Sequence, residues 1–193
     1  AALLVGKKKF AIRDVPVPDV TEDDVLIRIE VTGICGSDVH VFNGEQDYPY
    51  PVAIGHEIVG RVAKVGQGVK KFKAGERVSI LPSETCGKCA FCRSGRTNLC
   101  DNILCIGELP ANGGFAEYVK VKSNMVFRVS EDVSLKEASL IEPVAAAHYI
   151  AKNAVTGIDR GSRIGIMGMG TIGLLVLQVL KRWFKCSNVH GFD

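Results

Sequence analysis

The sequence lacks an apolar run of comfortable membrane-spanning length. One uncharged segment, residues 164–180, covers 17 residues, which is the bottom of the spanning range, and glycines interrupt its first half. The N-terminal segment Ala1–Val5 is too short for the core of a signal peptide, and no basic stretch precedes it. We therefore expect no membrane partner, and the cytosol is the expected compartment.

Basic clusters are also scarce. The formal net charge is +3, and the basic cluster Lys70, Lys71 and Lys73 lies in a glycine-flanked turn, which is typical of a solvated surface. Internal repeats and low-complexity tracts are absent. A composition of 47% hydrophobic and 23% charged residues excludes a disordered chain, so we expect a globular protein without a nucleic-acid partner.

The chain has two regions with different residue patterns. Residues 10–129 contain short alternating or β-branched runs between glycine and proline turns, which predict a β-rich, barrel-like domain. Ser134 and Glu137 then form a capping-box pattern ahead of a short helix, and Pro143 suits the first turn of a second helix. The last 32 residues read as strand, glycine turn, helix and strand, counted from Ser162 to Asp193.

Cysteine is concentrated in one stretch, where CGKCAFCRSGRTNLC places four of the seven cysteines. Four thiolates satisfy a tetrahedral zinc ion and leave no open position, which predicts a structural site. An iron–sulfur cluster is the rival metal, but the ferredoxin run continues with three residues and then Cys-Pro, whereas seven residues intervene here. Disulfides are the third alternative, disfavoured in a reducing compartment. The predicted zinc ligands are Cys86, Cys89, Cys92 and Cys100.

A second set of ligand-type residues lies in GICGSDVH and IGHE. Cys35 supplies a thiolate and His56 an imidazole, and a carboxylate from Glu57 or Glu142 would complete three ligands. Three protein ligands leave a fourth position open, which is the arrangement of a catalytic zinc site. Each residue taken singly has an ordinary structural interpretation, so the prediction depends on their combination.

The stretch GMGTIG matches the glycine pattern of a dinucleotide-binding loop. It follows an apolar strand, opens a helix and precedes Asp193 by 20 residues, the context that this pattern requires. An acidic residue at that point favours NAD over NADP, because a carboxylate accepts hydrogen bonds from ribose hydroxyls and repels a 2′-phosphate. The predicted cofactor-binding residues are Gly168, Gly170, Thr171, Ile172, Gly173 and Asp193.

Six stretches occur in the order found in the zinc-containing medium-chain dehydrogenases: GICGSDVH, GHEIVGRVAKVG, the CxxCxxC lobe, GGFAEYVKV, IEPVAAAHY and GMGTIG. The chain resembles the N-terminal portion of that family. Glu142, where the classical alcohol dehydrogenases usually have cysteine, makes it more similar to the branch of polyol (sorbitol), sugar-alcohol-phosphate and threonine dehydrogenases. The resemblance implies a two-domain α/β fold: a GroES-like β-barrel catalytic domain in residues 1–153 with the lobe 86–100, then the β-α-β start of an incomplete Rossmann domain in residues 154–193.

The resemblance also implies a ligand set for the catalytic zinc. Cys35 and His56 would hold the ion, with Glu57 or Glu142 as the third ligand. Pro143 disfavours helical geometry at Glu142 and predicts a break between helices there, so Glu57 is slightly preferred.

By the same resemblance, Ser37 would take the proton of the substrate alcohol and His40 would pass it toward solvent through the cofactor ribose, while Asp38 would orient His56. The implied activity is oxidation of a secondary alcohol (polyol, sugar alcohol or threonine-like) by hydride transfer to NAD, with two zinc ions per chain. The partner is a small-molecule alcohol, and the full-length protein is expected to be a homodimer or homotetramer.

A complete dinucleotide-binding sheet has six strands, and the sequence ends after the second. We therefore expect a fragment with little or no activity alone. Two other classes stay open: a zinc-free medium-chain reductase relative, and a non-enzymatic zinc or redox module that uses only the four-cysteine loop.

Overall fold

The computed structural model describes residues 1–107, 112–159 and 161–193, and the chain folds as two compact units, Ala1–Ser139 and Leu140–Asp193. The domain boundary predicted at residues 153 and 154 lies at the end of a helix that belongs to the second unit. The division between compact units therefore precedes that helix, and the family's own domain boundary stays a prediction.

The first unit consists mostly of short strands, as the alternating runs predict. Its strands are β1 (Ala2–Gly6), β2 (Lys9–Ile12), β3 (Asp24–Thr32), β4 (Ile58–Val65), β5 (Arg77–Ile80), β6 (Ser83–Glu84), β7 (Leu104–Cys105), β8 (Tyr118–Lys122) and β9 (Val126–Arg128). Its helices are α1 (Gly36–Asn43), α2 (Ala90–Arg93) and α3 (Leu135–Ala138), with 3-10 turns at Thr97–Leu99 and Ser123–Met125.

One antiparallel sheet organises this unit, in the order β8-β3-β4-β5-β9, while β1 pairs with β2 and β6 with β7. Val25 and Ile27 of β3 are buried in the core of this unit, and Ile58 and Val62 of β4 belong to the same core. The remaining buried members of the core are Val69, Phe72, Val78, Ile80, Ile106, Val119, Val121, Met125 and Val126. This core fixes the strands whose ends carry the candidate ligands.

The second unit contains α4 (Ile141–Ala154), β10 (Ile164–Met167), α5 (Thr171–Arg182) and β11 (Val189–Phe192). Strands β10 and β11 pair in parallel around α5, so the predicted strand–helix–strand order is confirmed. Helix α4 packs on α5 through a shared apolar core. None of the helices in the described ranges is both long and apolar enough to cross a membrane.

The beginning of α4 differs from the sequence-based expectation. The capping box between Ser134 and Glu137 is present ahead of α3, as predicted. Glu142, however, is the second residue of α4 rather than part of a break between helices. Pro143 is tolerated as the third residue because the first amides of a helix have no intrahelical acceptor, and its effect on the preceding residue is only a preference.

Candidate active site

Helix α1 presents the GICGSDVH residues. It starts immediately after Cys35, which is its N-cap, and it buries Asp38 and Val41 on its inner face. Val41 packs into an apolar cluster with Leu4, Val52 and Ile54. This packing holds the first turn of α1, and with it Cys35 and Ser37, in a fixed position in the first unit.

The carboxylate of Asp38 joins two segments of the chain. Its Oδ2 atom accepts a hydrogen bond from the backbone N–H of Cys35 at 2.8 Å, and its Oδ1 atom accepts one from the N–H of Gly55 at 3.1 Å. The same Oδ1 lies 4.0 Å from Nδ1 of His56. Asp38 is 3% exposed, so these interactions operate with little solvent screening. The loop before α1 and the loop before β4 are therefore held together by one buried charge.

Cys35, His56 and Glu57 converge at this junction. One ligand atom from each lies within 4.8 Å of the other two, and His56 and Glu57 are 5% and 8% exposed. Zinc binds nitrogen, oxygen and sulfur at about 2.0–2.3 Å, so ligand atoms around one ion lie about 3–4 Å apart. The set therefore fits a zinc ion with three protein ligands. Glu142, the alternative carboxylate, lies in the second unit, in the first turn of α4.

Gly33 provides the space that the Glu57 carboxylate occupies. A Cβ atom built on Gly33 would overlap Oε2 of Glu57, and the Gly33 N–H donates to the Glu57 carbonyl at 3.0 Å. The backbone contact keeps the two residues adjacent, so a side chain at position 33 would force the Glu57 carboxylate to move. Glycine at position 33 therefore leaves the Glu57 carboxylate in its observed position.

We expect Gly33→Ala to weaken metal binding by the Cys35, His56 and Glu57 set about 10- to 100-fold, because the added methyl group displaces one carboxylate ligand. Gly36→Ala is the matched control, since a Cβ atom at Gly36 meets no atom within 4 Å. Titration with zinc in the presence of a chromophoric chelator measures both variants. Equal affinities for the two would show that Glu57 does not depend on this space.

The two residues predicted to move protons differ in exposure. The hydroxyl oxygen of Ser37 is buried and hydrogen-bonds to no group in the described parts of the chain. His40, in the last turn of α1, is exposed and its Nδ1 atom lies 2.5 Å from Oε2 of Glu45. The ring of His148, by contrast, packs against the rings of Trp183 and Phe184, which suits a structural role.

The four-cysteine lobe brings its sulfur atoms together. The four Sγ atoms all lie within 4.8 Å of one another, and those of Cys86 and Cys92 are 4.0 Å apart. Backbone N–H groups donate to the sulfurs: Cys89 to Cys86 at 3.4 Å, Cys92 to Cys89 at 3.4 Å, and Cys86 to Cys100 at 3.3 Å. None of the seven cysteines, all of which lie in the described ranges, forms a disulfide bond. Converging sulfurs that accept amide hydrogen bonds fit a tetrahedral zinc ion.

The thiols of this lobe titrate differently from one another. Backbone N–H groups of Lys88 and Cys89 lower the pKa of Cys86 to about 6. Exclusion of water, followed by the neighbouring thiols of Cys89 and Cys100, raises the pKa of Cys92 to about 12. The protein alone therefore does not ionise all four thiols at neutral pH. A divalent cation supplies the missing positive charge and deprotonates its thiol ligands.

The glycine loop of the second unit has the geometry that the pattern predicts. Gly168 has φ 88°, and a Cβ atom at Gly173 would overlap the Gly168 carbonyl, so the tight turn and the close helix approach both need glycine. Gly170 caps α5, and a Cβ atom there would meet nothing. Thr171 and Ile172 open the helix. The space beside Gly170 at a helix N-terminus suits a pyrophosphate.

Asp193 is in contact with this glycine loop. Its Oδ1 atom accepts a hydrogen bond from the backbone N–H of Met169 at 3.1 Å. The carboxylate therefore lies at the C-terminal end of β11 next to the glycine turn, which is the edge of a parallel sheet where ligands bind.

Comparison with known proteins identifies the larger unit. Residues 21–131, more than half of the chain, match the alcohol dehydrogenase GroES-like domain. The chain belongs to this family. The resemblance to zinc-containing medium-chain dehydrogenases is thereby confirmed, as is the α/β fold with a GroES-like domain.

Relatives of this GroES-like protein include enzymes and solved structures. Sorbitol dehydrogenase of Bacillus subtilis is 39% identical over 185 residues, which cover 94% of this chain and 52% of that enzyme. The alcohol dehydrogenase rspB of Escherichia coli CFT073, solved with NADH, matches with TM-score 0.92 and 32% identity over 100% of this chain and 56% of that one. A zinc-binding dehydrogenase of Sinorhizobium meliloti 1021 bound to NADP gives TM-score 0.85 and 32% identity, covering 100% and 61%. The chain spans about half the length of the curated relatives it matches.

Sequence reasoning missed three residues that the structure places at the site. Gly33 and Gly55 act through contacts with Glu57 and Asp38 that connect distant segments, and their sequence contexts contain no signal for this. Glu45 could have been found, because a glycine directly after an apolar helical stretch predicts a left-handed C-cap that turns the next residue back toward the helix.

Proposed function

We propose that this chain is the zinc-binding part of a dehydrogenase that oxidises a secondary alcohol by transferring hydride to NAD. The alcohol would be a polyol, a sugar alcohol or a threonine-like compound. The convergence of Cys35, His56 and Glu57 in a GroES-like domain supports this proposal most strongly. A thiolate, an imidazole and a carboxylate together form a set that holds zinc and leaves a position for substrate.

Cys35, His56 and Glu57 would hold the catalytic zinc, and Asp38 would hold His56 and the Cys35 loop in position relative to each other. Zinc supplies a Lewis acid that lowers the pKa of an alcohol hydroxyl, which makes its proton easier to remove at neutral pH. We assign a second, structural zinc to the four-cysteine lobe, which offers four sulfur ligands and therefore no open position.

Ser37 would receive the proton of the alcohol. Its hydroxyl oxygen is buried close behind Cys35 in the first turn of α1, and a hydroxyl can accept one proton while it donates its own. His40, three residues later and exposed on the same helix, would take that proton toward solvent. The carbon that bears the hydroxyl loses a hydride and the hydroxyl loses a proton, so the substrate becomes a neutral ketone.

The glycine loop would bind the pyrophosphate of the cofactor at the N-terminus of α5, and NAD supplies the hydride acceptor. The carboxylate of Asp193 at the end of β11 supports a preference for NAD over NADP, because it would face the ribose 2′-position. Solved relatives hold NADH in one case and NADP in another, so the proposed preference rests on residue 193 and not on the family.

Two measurements test the proposal. Elemental analysis of the chain should find two zinc ions per molecule; one ion would favour a zinc-free reductase relative or a module that uses only the lobe. At its full natural length, the protein should reduce NAD in the presence of polyols, threonine or 2,3-butanediol, as followed by NADH absorbance. Two zinc ions without reduction of NAD or NADP by any secondary alcohol would contradict the proposed activity.

A further inference from the structure

Helix α1 ends in a turn that folds Glu45 back onto its last residues. Gly44 adopts the left-handed conformation with φ 69° and its N–H donates to the carbonyl of Val41 at 3.0 Å. The N–H of Glu45 donates to the carbonyl of His40, also at 3.0 Å. These bonds are those of a glycine-terminated helix, and they set the side chain of Glu45 beside that of His40.

Both oxygens of the Glu45 carboxylate have partners in this turn. Oε2 lies 2.5 Å from Nδ1 of His40, and Oε1 accepts a hydrogen bond from the side-chain amide of Asn43 at 3.1 Å. Lys7 lies over Gly44 and adds a positive charge near the carboxylate. The hydrogen bond from His40, followed by that from Asn43, lowers the pKa of Glu45, so the group is a carboxylate at neutral pH. A carboxylate only accepts, so Nδ1 of His40 must carry the proton in this contact.

We propose that Glu45 is a positioning residue for His40, holding the ring with its proton on Nδ1 so that Nε2 is the nitrogen that accepts the proton released by the alcohol. This inference rests on the proposed function. A neutral imidazole has one donor nitrogen and one acceptor nitrogen. The hydrogen-bond partner of one nitrogen therefore determines whether the other nitrogen accepts.

The proton transfer balances with these two residues and Ser37. The alcohol gives its proton to the oxygen of Ser37 while the Ser37 hydroxyl gives up its own proton, which would reach Nε2 of His40 by way of the cofactor ribose. His40 then carries a proton on both ring nitrogens, as an imidazolium. The Glu45 carboxylate stabilises that cation through the bond it already accepts. Nε2 then loses its proton to water, and Nδ1–H is unchanged throughout. His40 is 60% and Glu45 52% exposed, so the pair adds little to stability but still selects the tautomer.

The tautomer can be measured on the chain itself, without activity or cofactor. Long-range ¹H–¹⁵N correlation spectra distinguish protonated from unprotonated ring nitrogens, and His40→Gln identifies the His40 signals among the four histidines. Above the pH at which the ring becomes neutral, we expect the Nδ1–H form of His40. Glu45→Ala should shift the population to Nε2–H, the form that an imidazole prefers without a partner, whereas Glu45→Gln should retain part of the Nδ1–H form through its amide oxygen. An Nε2–H ring in the unmodified chain, or no shift in Glu45→Ala, overturns the inference.

Steady-state kinetics of the protein at its full natural length provide a second test. Glu45→Ala should lower kcat about tenfold with KM for the alcohol unchanged, and Glu45→Gln should restore part of the loss, because only the proton transfer is impaired. Asp47→Ala removes the same charge from the same loop, and Asp47 has no hydrogen bond or ion pair in the described structure, so it should match the unmodified enzyme. Unmodified kcat in Glu45→Ala overturns this inference alone. Absence of turnover in the unmodified enzyme overturns the proposed function, while the tautomer result still decides the contact.

Discussion

Cys35→Ser is expected to reduce the zinc content from two ions per chain to one and to lower alcohol oxidation at full natural length about a thousandfold or more. The thiolate is one of three ligands that converge at the barrel, and a serine hydroxyl is a poor ligand at neutral pH. A metal ion contributes several kcal/mol to stabilising transition-state charge, and each 1.36 kcal/mol is worth about tenfold in rate.

Zinc analysis, circular dichroism and NADH absorbance together measure this result. The fold should survive, because Asp38 receives its hydrogen bond from the backbone of Cys35 and not from its sulfur. Cys105→Ser is the matched control, since Cys105 belongs to neither ligand set found in the described residues, and it should keep both ions. A Cys35→Ser protein that retains two zinc ions would place the catalytic metal elsewhere.

Cys86→Ser is expected to release the other zinc ion and to unfold the lobe while the barrel stays folded. Structural zinc contributes about 10–16 kcal/mol of apparent binding free energy in small zinc domains, and much of it depends on a complete ligand set. Within residues 86–100 only Cys100 is buried, so no apolar core replaces the metal. Cys86 also accepts the amide hydrogen bond of Cys89, which would be lost with its sulfur.

Hydrogen exchange followed by mass spectrometry localises this effect. Amides of residues 86–100 should exchange about a hundredfold or more faster in Cys86→Ser, whereas those of β3 and β4 should keep their protection. The Cys105→Ser control should exchange like the unmodified chain. Slow exchange in a zinc-free lobe would mean that the segment folds without metal, contrary to the structural role assigned to it.

Local patterns predicted most of the fold because their determinants are close in sequence. The capping box at Ser134 and Glu137, the alternating residues of β3 and β4, and the glycine spacing before α5 each describe a few neighbouring residues. The four cysteines of the lobe are also local, so one loop can bring them together. These features follow from backbone propensity and side-chain periodicity alone.

Contacts between distant segments were not predictable in the same way. Nothing in the sequence states that Gly33 must make room for Glu57, 24 residues later, or that Asp38 bonds the N–H of Gly55. The pairing of β3 with β4 brings Gly33 next to Glu57, and the packing of α1 brings Asp38 to Gly55. The helical conformation of Glu142 was misjudged because the preference of the residue before proline was given more weight than the tolerance of proline in a first turn.

The buried carboxylate of Asp38 implies that the two metal centres differ in how they respond to metal exchange. Asp38 joins the Cys35 loop to the Gly55 loop by accepting hydrogen bonds from the backbone N–H groups of both. The conformational entropy of these ligands is therefore lost when the barrel folds, before any ion binds. A chelator should therefore empty this centre without melting it, and cobalt should enter the same preformed pocket. Within the described residues no buried carboxylate joins the lobe's ligand segments in this way, so its ligands must be ordered anew by each ion that binds.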